Sequence, residues 1–153
     1  SEDDEVDLEW VLDRCEAAVV QRGARVVVVD PWNEMDHARS RDESLTEYTG
    51  RAIKAFRRFA RKFLVHLILV AHPSKQQKDA DGGYKIPTLY DISDSSHWYN
   101  KSDVGIVVHR RDEHTSIIRV AKSRYHDEIG KPGEVEASYD FSRRRYEIAE
   151  TPF

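Results

Sequence analysis

Arg25-Val26-Val27-Val28-Val29-Asp30-Pro31 is the stretch on which the fold turns. Four valines in a row are too few to span a membrane and too uniformly apolar for a strand with one wet face. They predict a strand buried on both faces, the pattern of a central strand in a parallel α/β sheet. The run ends in a carboxylate, and Pro31, which has no N–H, stops further ladder pairing. In open α/β sheets ligands bind beyond the carboxyl ends of the strands. Asp30 is therefore placed either to hold a metal-bound water beside a phosphate chain or simply to cap a loop, and the strand alone leaves both readings open.

Downstream, residues 45–63 predict a helix with Ile53, Phe56, Ala60 and Phe63 on one face and Arg51, Lys54, Arg58, Arg61 and Lys62 towards the other. A second apolar run follows, His66-Leu67-Ile68-Leu69-Val70-Ala71-His72. Strand, helix, strand at this spacing is a βαβ crossover, so the two strands should be parallel neighbours, with Asp30 and His72 emerging at the same edge. Upstream, Leu8, Val11, Leu12, Cys15, Ala18 and Val19 recur at helical spacing over residues 6–22, and Gly23 supplies the stop. The loop over residues 32–44 shows no period. Asn33, Glu34, Asp36 and His37 lie in it without the spacing of a metal site, and a solvated loop is the better reading.

The length of 153 residues suits one domain with a real core. A net charge of -4 excludes a globally basic nucleic-acid binder, but the charge is uneven. Residues 1–16 hold eight acids and the single base Arg14, whereas residues 51–62 hold six bases and no acid. One cysteine, Cys15, excludes an internal disulfide and a cysteine-based zinc site, and fits a reducing, cytoplasmic setting. No apolar stretch is long enough to cross a membrane, and no signal peptide is evident.

Residues 73–89 form a loop with Gly82-Gly83 near its middle and a cationic character from Lys75, Lys78 and Lys85. Residues 91–101 predict a short helix, 104–110 a strand, 112–114 a turn and 115–124 an antiparallel partner strand. Lys122 and Arg124, two apart in that strand, should share a face. Residues 125–133 read as a loop, and 135–139 with 145–148 as a closing hairpin.

With these parts in order, residues 25–147 resemble the C-terminal half of a RecA-like ring helicase core, closest in pattern to the DnaB-type replicative helicases, the phage primase-helicases and twinkle. Three motifs carry the likeness. Val26-Val27-Val28-Val29-Asp30 resembles the Walker B strand. Leu67-Ile68-Leu69-Val70-Ala71-His72 with Pro73-Ser74-Lys75 resembles the sensor strand and the start of the DNA loop. Asp91-Ile92-Ser93-Asp94-Ser95-Ser96 through Ser102-Asp103, then Val120-Ala121-Lys122-Ser123-Arg124, resembles the last motif with its trans-acting basic pair.

The resemblance implies a partial RecA-like P-loop NTPase fold, with parallel central strands, helices on both faces and antiparallel strands towards the C-terminus. It implies one domain belonging to an ATP-dependent helicase that moves along single-stranded DNA as a homo-hexameric ring, with primase or other replication proteins as partners and no membrane. Asp30 would orient Mg2+ through water, His72 would sense the γ-phosphate, and Lys122 and Arg124 would reach the neighbouring subunit's nucleotide. Arg110 and Tyr139 would flank the base of ATP or another NTP, and Lys75, Lys78 and Lys85 would contact the DNA backbone. The expected setting is the cytoplasm of a bacterial or phage-infected cell.

The sequence also departs from the pattern. No Gly-x-x-x-x-Gly-Lys-Ser/Thr occurs, the family's water-activating glutamate is not found, and Ser93 stands where many bacterial relatives have arginine. The chain is accordingly read as part of a longer helicase and is expected not to hydrolyse ATP efficiently by itself. Rival readings are another RecA-like motor, such as a recombinase or plasmid replication helicase, and a catalytically inactive RecA-like module for interaction or DNA binding. A metal-dependent nuclease built on Asp30, Glu34 and His37 is more distant.

Overall fold

The computed structural model describes residues 5–74, 78, 83–92 and 96–148. The chain divides into two compact units, Ser1–His72 and Pro73–Phe153.

In the first unit, α1 (Leu8–Arg22) begins where Asp7 accepts the Trp10 N–H at 2.8 Å. It ends at Gly23, whose φ of 67° is the left-handed cap conformation that glycine adopts without a Cβ clash. β1 (Val26–Val29) follows, then α2 (Leu45–Phe63) and β2 (His66–Leu69). α2 opens with a reciprocal cap: the Glu47 N–H donates to Ser44 Oγ, and the Ser44 N–H donates to Glu47 Oε2 at 2.9 Å. The Ser44 hydroxyl, which also donates to Glu47 Oε2 at 2.7 Å, and the Ser44 N–H hold the Glu47 carboxyl below its usual range. The buried face of α2 is Tyr48, Ala52, Ile53, Phe56 and Phe59. It is rotated from the expected stripe, because Ala60 and Phe63 are only partly covered.

β1 and β2 pair in parallel with no register shift, Val26 opposite His66 through Val29 opposite Leu69. The expected βαβ crossover is thus present. The expectation that β1 is buried on both faces is not met. Val27 and Val29 are buried, while Val26 and Val28 are about half exposed at 53% and 54%. In a two-stranded ladder successive side chains point to opposite faces, and only one face of this pair is covered.

The second unit is built on a four-stranded antiparallel sheet in the order β3 (Val104–Arg110), β4 (Thr115–Ser123), β5 (Gly133–Asp140), β6 (Arg145–Ile148). Val107, Ile117 and Ala137 are buried on it. A bulge falls between Gly105 and Ile106, and a Cβ at Gly105 would run into the side chain of Leu89, so glycine lets the buried Leu89 lie against the strand. Of the helix expected over 91–101, the described residues show only the C-terminal part as α-helix. A 3₁₀ turn, Leu89–Asp91, precedes α3 (His97–Lys101), and Asp91 caps backwards onto Thr88 instead of opening a helix. The loop expected over 125–133 contains a short helix, α4 (His126–Ile129).

The β3–β4 turn is tied by Asp112, whose Oδ1 accepts the His114 and Thr115 N–H groups, both at 2.8 Å. These bonds hold its carboxyl below the usual range. A lowered folded-state pKa contributes stability that is present above the unfolded-state pKa and lost as pH falls through the folded value. Asp112→Ala is therefore expected to lower amide-exchange protection at His114 and Thr115 at neutral pH. Wild-type protection should fall towards that of the variant once the pH drops below the ordinary aspartate range. Unchanged protection in the variant would show that the turn does not depend on this carboxylate.

Candidate nucleotide and single-strand interface

Where β1 and β2 end, three backbone bonds keep the exits side by side. The Val70 N–H donates to the Val29 carbonyl at 2.9 Å, the Trp32 N–H donates to the Val70 carbonyl at 2.7 Å, and the His72 N–H donates to Asn33 Oδ1 at 2.8 Å. Asp30 and His72 therefore leave neighbouring strands at one edge of the first unit, and both are exposed. Among the described residues the Asp30 carboxylate makes no hydrogen bond or ion pair.

Asn33 was legible only as a member of a loop cluster. Its use as a clamp on the His72 backbone joins residues 39 apart and leaves no local pattern. Two other polar residues of that loop, Asp36 and His37, serve the fold. Asp36 Oδ2 accepts the Val6 N–H at 2.7 Å, and the His37 ring lies 4.6 Å from the Trp32 ring and 5.2 Å from Tyr48. Among the described residues no three His, Cys, Asp or Glu side chains converge as a metal site. The Mg2+ role implied for Asp30 does not need such a cage, since Mg2+ is commonly held by one or two carboxylates plus water and substrate phosphates.

Arg110 ends β3 and Tyr139 lies in β5, and both line an open cavity of about 440 Å³ in the second unit. Phe141, Arg144 and Tyr146 add further planar groups to the wall, which also includes Glu113 and Ser116. The Tyr139 ring meets Phe141 edge-on at 5.0 Å and Tyr146 at 5.0 Å, and Arg110 Nε donates to the Asp112 carbonyl at 3.1 Å. A cation and aromatic faces around one opening can take a flat, electron-rich ring. Phe141 and Tyr146 were not singled out in the sequence, although Phe141 stands two residues after Tyr139 and Tyr146 lies opposite Tyr139 across the hairpin.

Lys122 and Arg124 do share a side, as their spacing predicts. Lys122 Nζ donates to the Tyr99 carbonyl and, at 3.4 Å, to the Asn100 carbonyl. Arg124 Nη2 donates to the Asn100 carbonyl at 2.8 Å and the Ser102 carbonyl at 3.2 Å, and its Nε meets Asp103 Oδ1 at 3.0 Å. Lys78 and Lys85 are exposed, and Lys78 forms an antiparallel bridge with Tyr84. Lys75 and Ser93 lie outside the described residues.

Residues 1–78 match the family model of an AAA domain. Along 144 residues the chain is 39% identical to the twinkle homolog protein, chloroplastic/mitochondrial, of Arabidopsis thaliana, covering 91% of this chain and 20% of that protein. The fold matches a solved structure of a DnaB-like replicative helicase, described with its interactions with primase, at a TM-score of 0.71 and 18% identity. That match covers 92% of this chain and 35% of the other. The chain spans about a fifth of the length of the curated relative it matches. With β1 and β2 parallel and leading to Asp30 and His72 at one edge, an antiparallel sheet behind them in sequence and residues 1–78 matched by the family model, the chain belongs to the AAA domain family and has the fold of part of a RecA-like core.

Proposed function

We propose that this chain is part of an ATP- and Mg2+-dependent replicative DNA helicase that assembles as a homo-hexameric ring and translocates on single-stranded DNA. The observation that carries the reading is the in-register parallel pair that delivers Asp30 and His72 to one edge, with the His72 backbone held by Asn33. Such an edge is where open α/β folds bind nucleotides.

In this reading Asp30 would hold Mg2+, which when bound would supply neutralising charge beside the phosphates. His72 donates a hydrogen bond towards the γ-phosphate from a backbone fixed by Asn33. It immediately precedes Pro73-Ser74-Lys75, so a change at the phosphate is passed directly to the start of the lysine loop. Lys75, Lys78 and Lys85 grip the phosphodiester backbone of the single strand without reading bases, a contact that weakens with salt. Within the second unit Arg110 and Tyr139 take a nucleotide base, and Lys122 with Arg124 reaches the nucleotide of the next subunit. No phosphate-binding loop occurs in this sequence, so these residues supply one part of a nucleotide site. Primase and other replication proteins are the proposed partners. The proposed compartment is the one that holds the replicated genome, an organelle or a bacterial or phage-infected cytoplasm.

The test is ATP turnover by the full-length parent protein, with and without single-stranded DNA and with and without Mg2+. Turnover that needs Mg2+ and rises on adding DNA is the expected result. DNA binding without any turnover would replace the motor by a catalytically inactive module.

A further inference from the structure

The basic pair is oriented by α3 rather than by its own strand. The carbonyls of Tyr99, Asn100 and Ser102 lie at the C-terminal end of that helix, where unsatisfied C=O groups attract cations. Lys122 Nζ also stands 4.9 Å from the centre of the Tyr99 ring. The Tyr99 ring in turn stacks on Tyr90, with centroids 5.0 Å apart and planes at 20°. Tyr90 is the middle residue of the 3₁₀ turn Leu89–Asp91, and 53% of its surface is exposed, so the stack rather than a core sets its place. At the end of the same turn the Asp91 carbonyl accepts both the Ser74 N–H at 2.8 Å and the Ser74 hydroxyl at 3.2 Å. Ser74 directly precedes the lysine loop. Bonds and ring contacts thus run without a break from Ser74 through Asp91, Tyr90 and Tyr99 to Lys122, and from there through the Asn100 carbonyl to Arg124.

We propose that Tyr99, stacked on Tyr90, is a positioning residue for Lys122 and Arg124, through which the segment beginning at Ser74 sets the orientation of the pair. The proposal rests on the reading of that pair as a trans finger. A lysine has a long, flexible stem, and a guanidinium acts only when its fork is aimed, so both depend on what fixes their direction. Displacement of Ser74 moves the 3₁₀ turn, shifts Tyr90 against Tyr99 and changes the angle at which α3 presents its last carbonyls. Occupancy of the single-strand loop then reaches the finger within one unit of the chain. If the contacts served only to hold α3 in place, removing the ring would lower stability and leave turnover unchanged.

The experiment uses the full-length parent protein and compares wild type, Tyr99→Leu, Tyr99→Phe, Tyr90→Leu, the Tyr90→Leu/Tyr99→Leu double variant and Arg124→Ala. Turnover is measured with and without an oligo-dT strand, alongside the KM for ATP, the Kd for the strand and Tm. Tyr99→Leu keeps the backbone carbonyl that Lys122 uses and removes the ring. It is expected to lower DNA-stimulated kcat about tenfold, with KM and Kd within about twofold of wild type. Tyr99→Phe should retain most of the rate. Tyr90→Leu should fall in the same direction, and the double variant should be no worse than Tyr99→Leu, since both changes cut the same link. Wild-type stimulated kcat in Tyr99→Leu or Tyr90→Leu, with Arg124→Ala inactive, overturns the proposal and leaves the finger standing. Wild-type turnover in Arg124→Ala overturns both. If Tyr99→Leu fails to fold, the exposed Tyr90→Leu decides alone.

Discussion

Arg124→Ala in the full-length parent is expected to lower DNA-stimulated ATP turnover by about 10³–10⁵-fold, the range over which arginine fingers act, while ATP remains bound. The reason lies in where charge develops. A transferring phosphoryl group spreads negative charge over its equatorial oxygens, and a guanidinium offers planar, permanently charged donors to meet it. In the present structure Arg124 donates to two α3-end carbonyls and pairs with Asp103. The substitution therefore also removes contacts within its own unit. Arg124→Lys separates the two effects, because it keeps the charge near the helix end but not the fork. Loss of turnover in both variants with Tm preserved assigns the defect to chemistry. Loss of Tm with a normal rate per folded ring assigns it to the support of α3. Mixing Arg124→Ala with Asp30→Asn subunits gives the trans test: if the pair acts on the next subunit, rings containing both should regain turnover at interfaces that unite an intact Asp30 with an intact Arg124. Failure to complement would place Arg124 in its own subunit's site.

Trp32→Ala is expected to cost about 3–5 kcal/mol of stability, the range for emptying a large buried aromatic. Trp32 has no exposed surface, and its ring packs 4.6 Å from His37 and 5.8 Å from Tyr48. Tyr48 is itself buried, with its hydroxyl pKa pushed up by that burial, and the Arg51 guanidinium lies 4.9 Å over its ring. Arg51 is held by a two-pronged bond to Glu43, at 2.8 and 2.9 Å, which keeps that carboxyl below its usual range. The tryptophan side chain thus anchors the whole loop between β1 and α2. Since Trp32 lies two residues after Asp30 and one before Asn33, a collapse there should also displace the clamp on His72. Urea unfolding measures the first effect, and ATP affinity of the parent measures the second. Trp32→Phe should recover most of both. An Ala variant as stable as wild type would show that the loop is anchored by its backbone bonds alone.

The parallel pair, the crossover helix and the basic pair were legible because each rests on a local signal. Apolar runs mark β1 and β2, a 3.6-residue stripe marks α2, and two-residue spacing puts Lys122 and Arg124 on one side. The ends of α2 were legible to the residue, and Ser44 with Glu47 three positions later is a capping signature readable in the sequence itself. What could not be read was long-range. The half-exposure of Val26 and Val28 depends on what covers a sheet, not on the strand's own composition. Asp91 has the residue type of a helix start, but its side chain caps Thr88 behind it, a Thr-x-x-Asp spacing that marks the 3₁₀ turn and was not read as such in the sequence. The partners of Asn33, Lys122 and Arg124 lie 21 to 39 positions away, beyond the reach of any periodicity.

The pairing of β1 with β2 also governs where the chain can change length. Val26 to Val29 face His66 to Leu69 pair for pair, and the Asn33–His72 bond closes the far end, so the place of His72 is set by register and not by the size of the connection between the strands. Residues added in the stretch 38–44, ahead of the Ser44 cap, would lengthen a surface loop at the small entropic cost of a longer closure and leave both exits where they are. A single residue lost between His66 and Ala71 would turn every following side chain to the opposite face and carry the imidazole with it. Insertions and deletions should therefore be tolerated on one side of α2 and excluded on the other, an asymmetry that a scan of one-residue indels across this segment would trace directly.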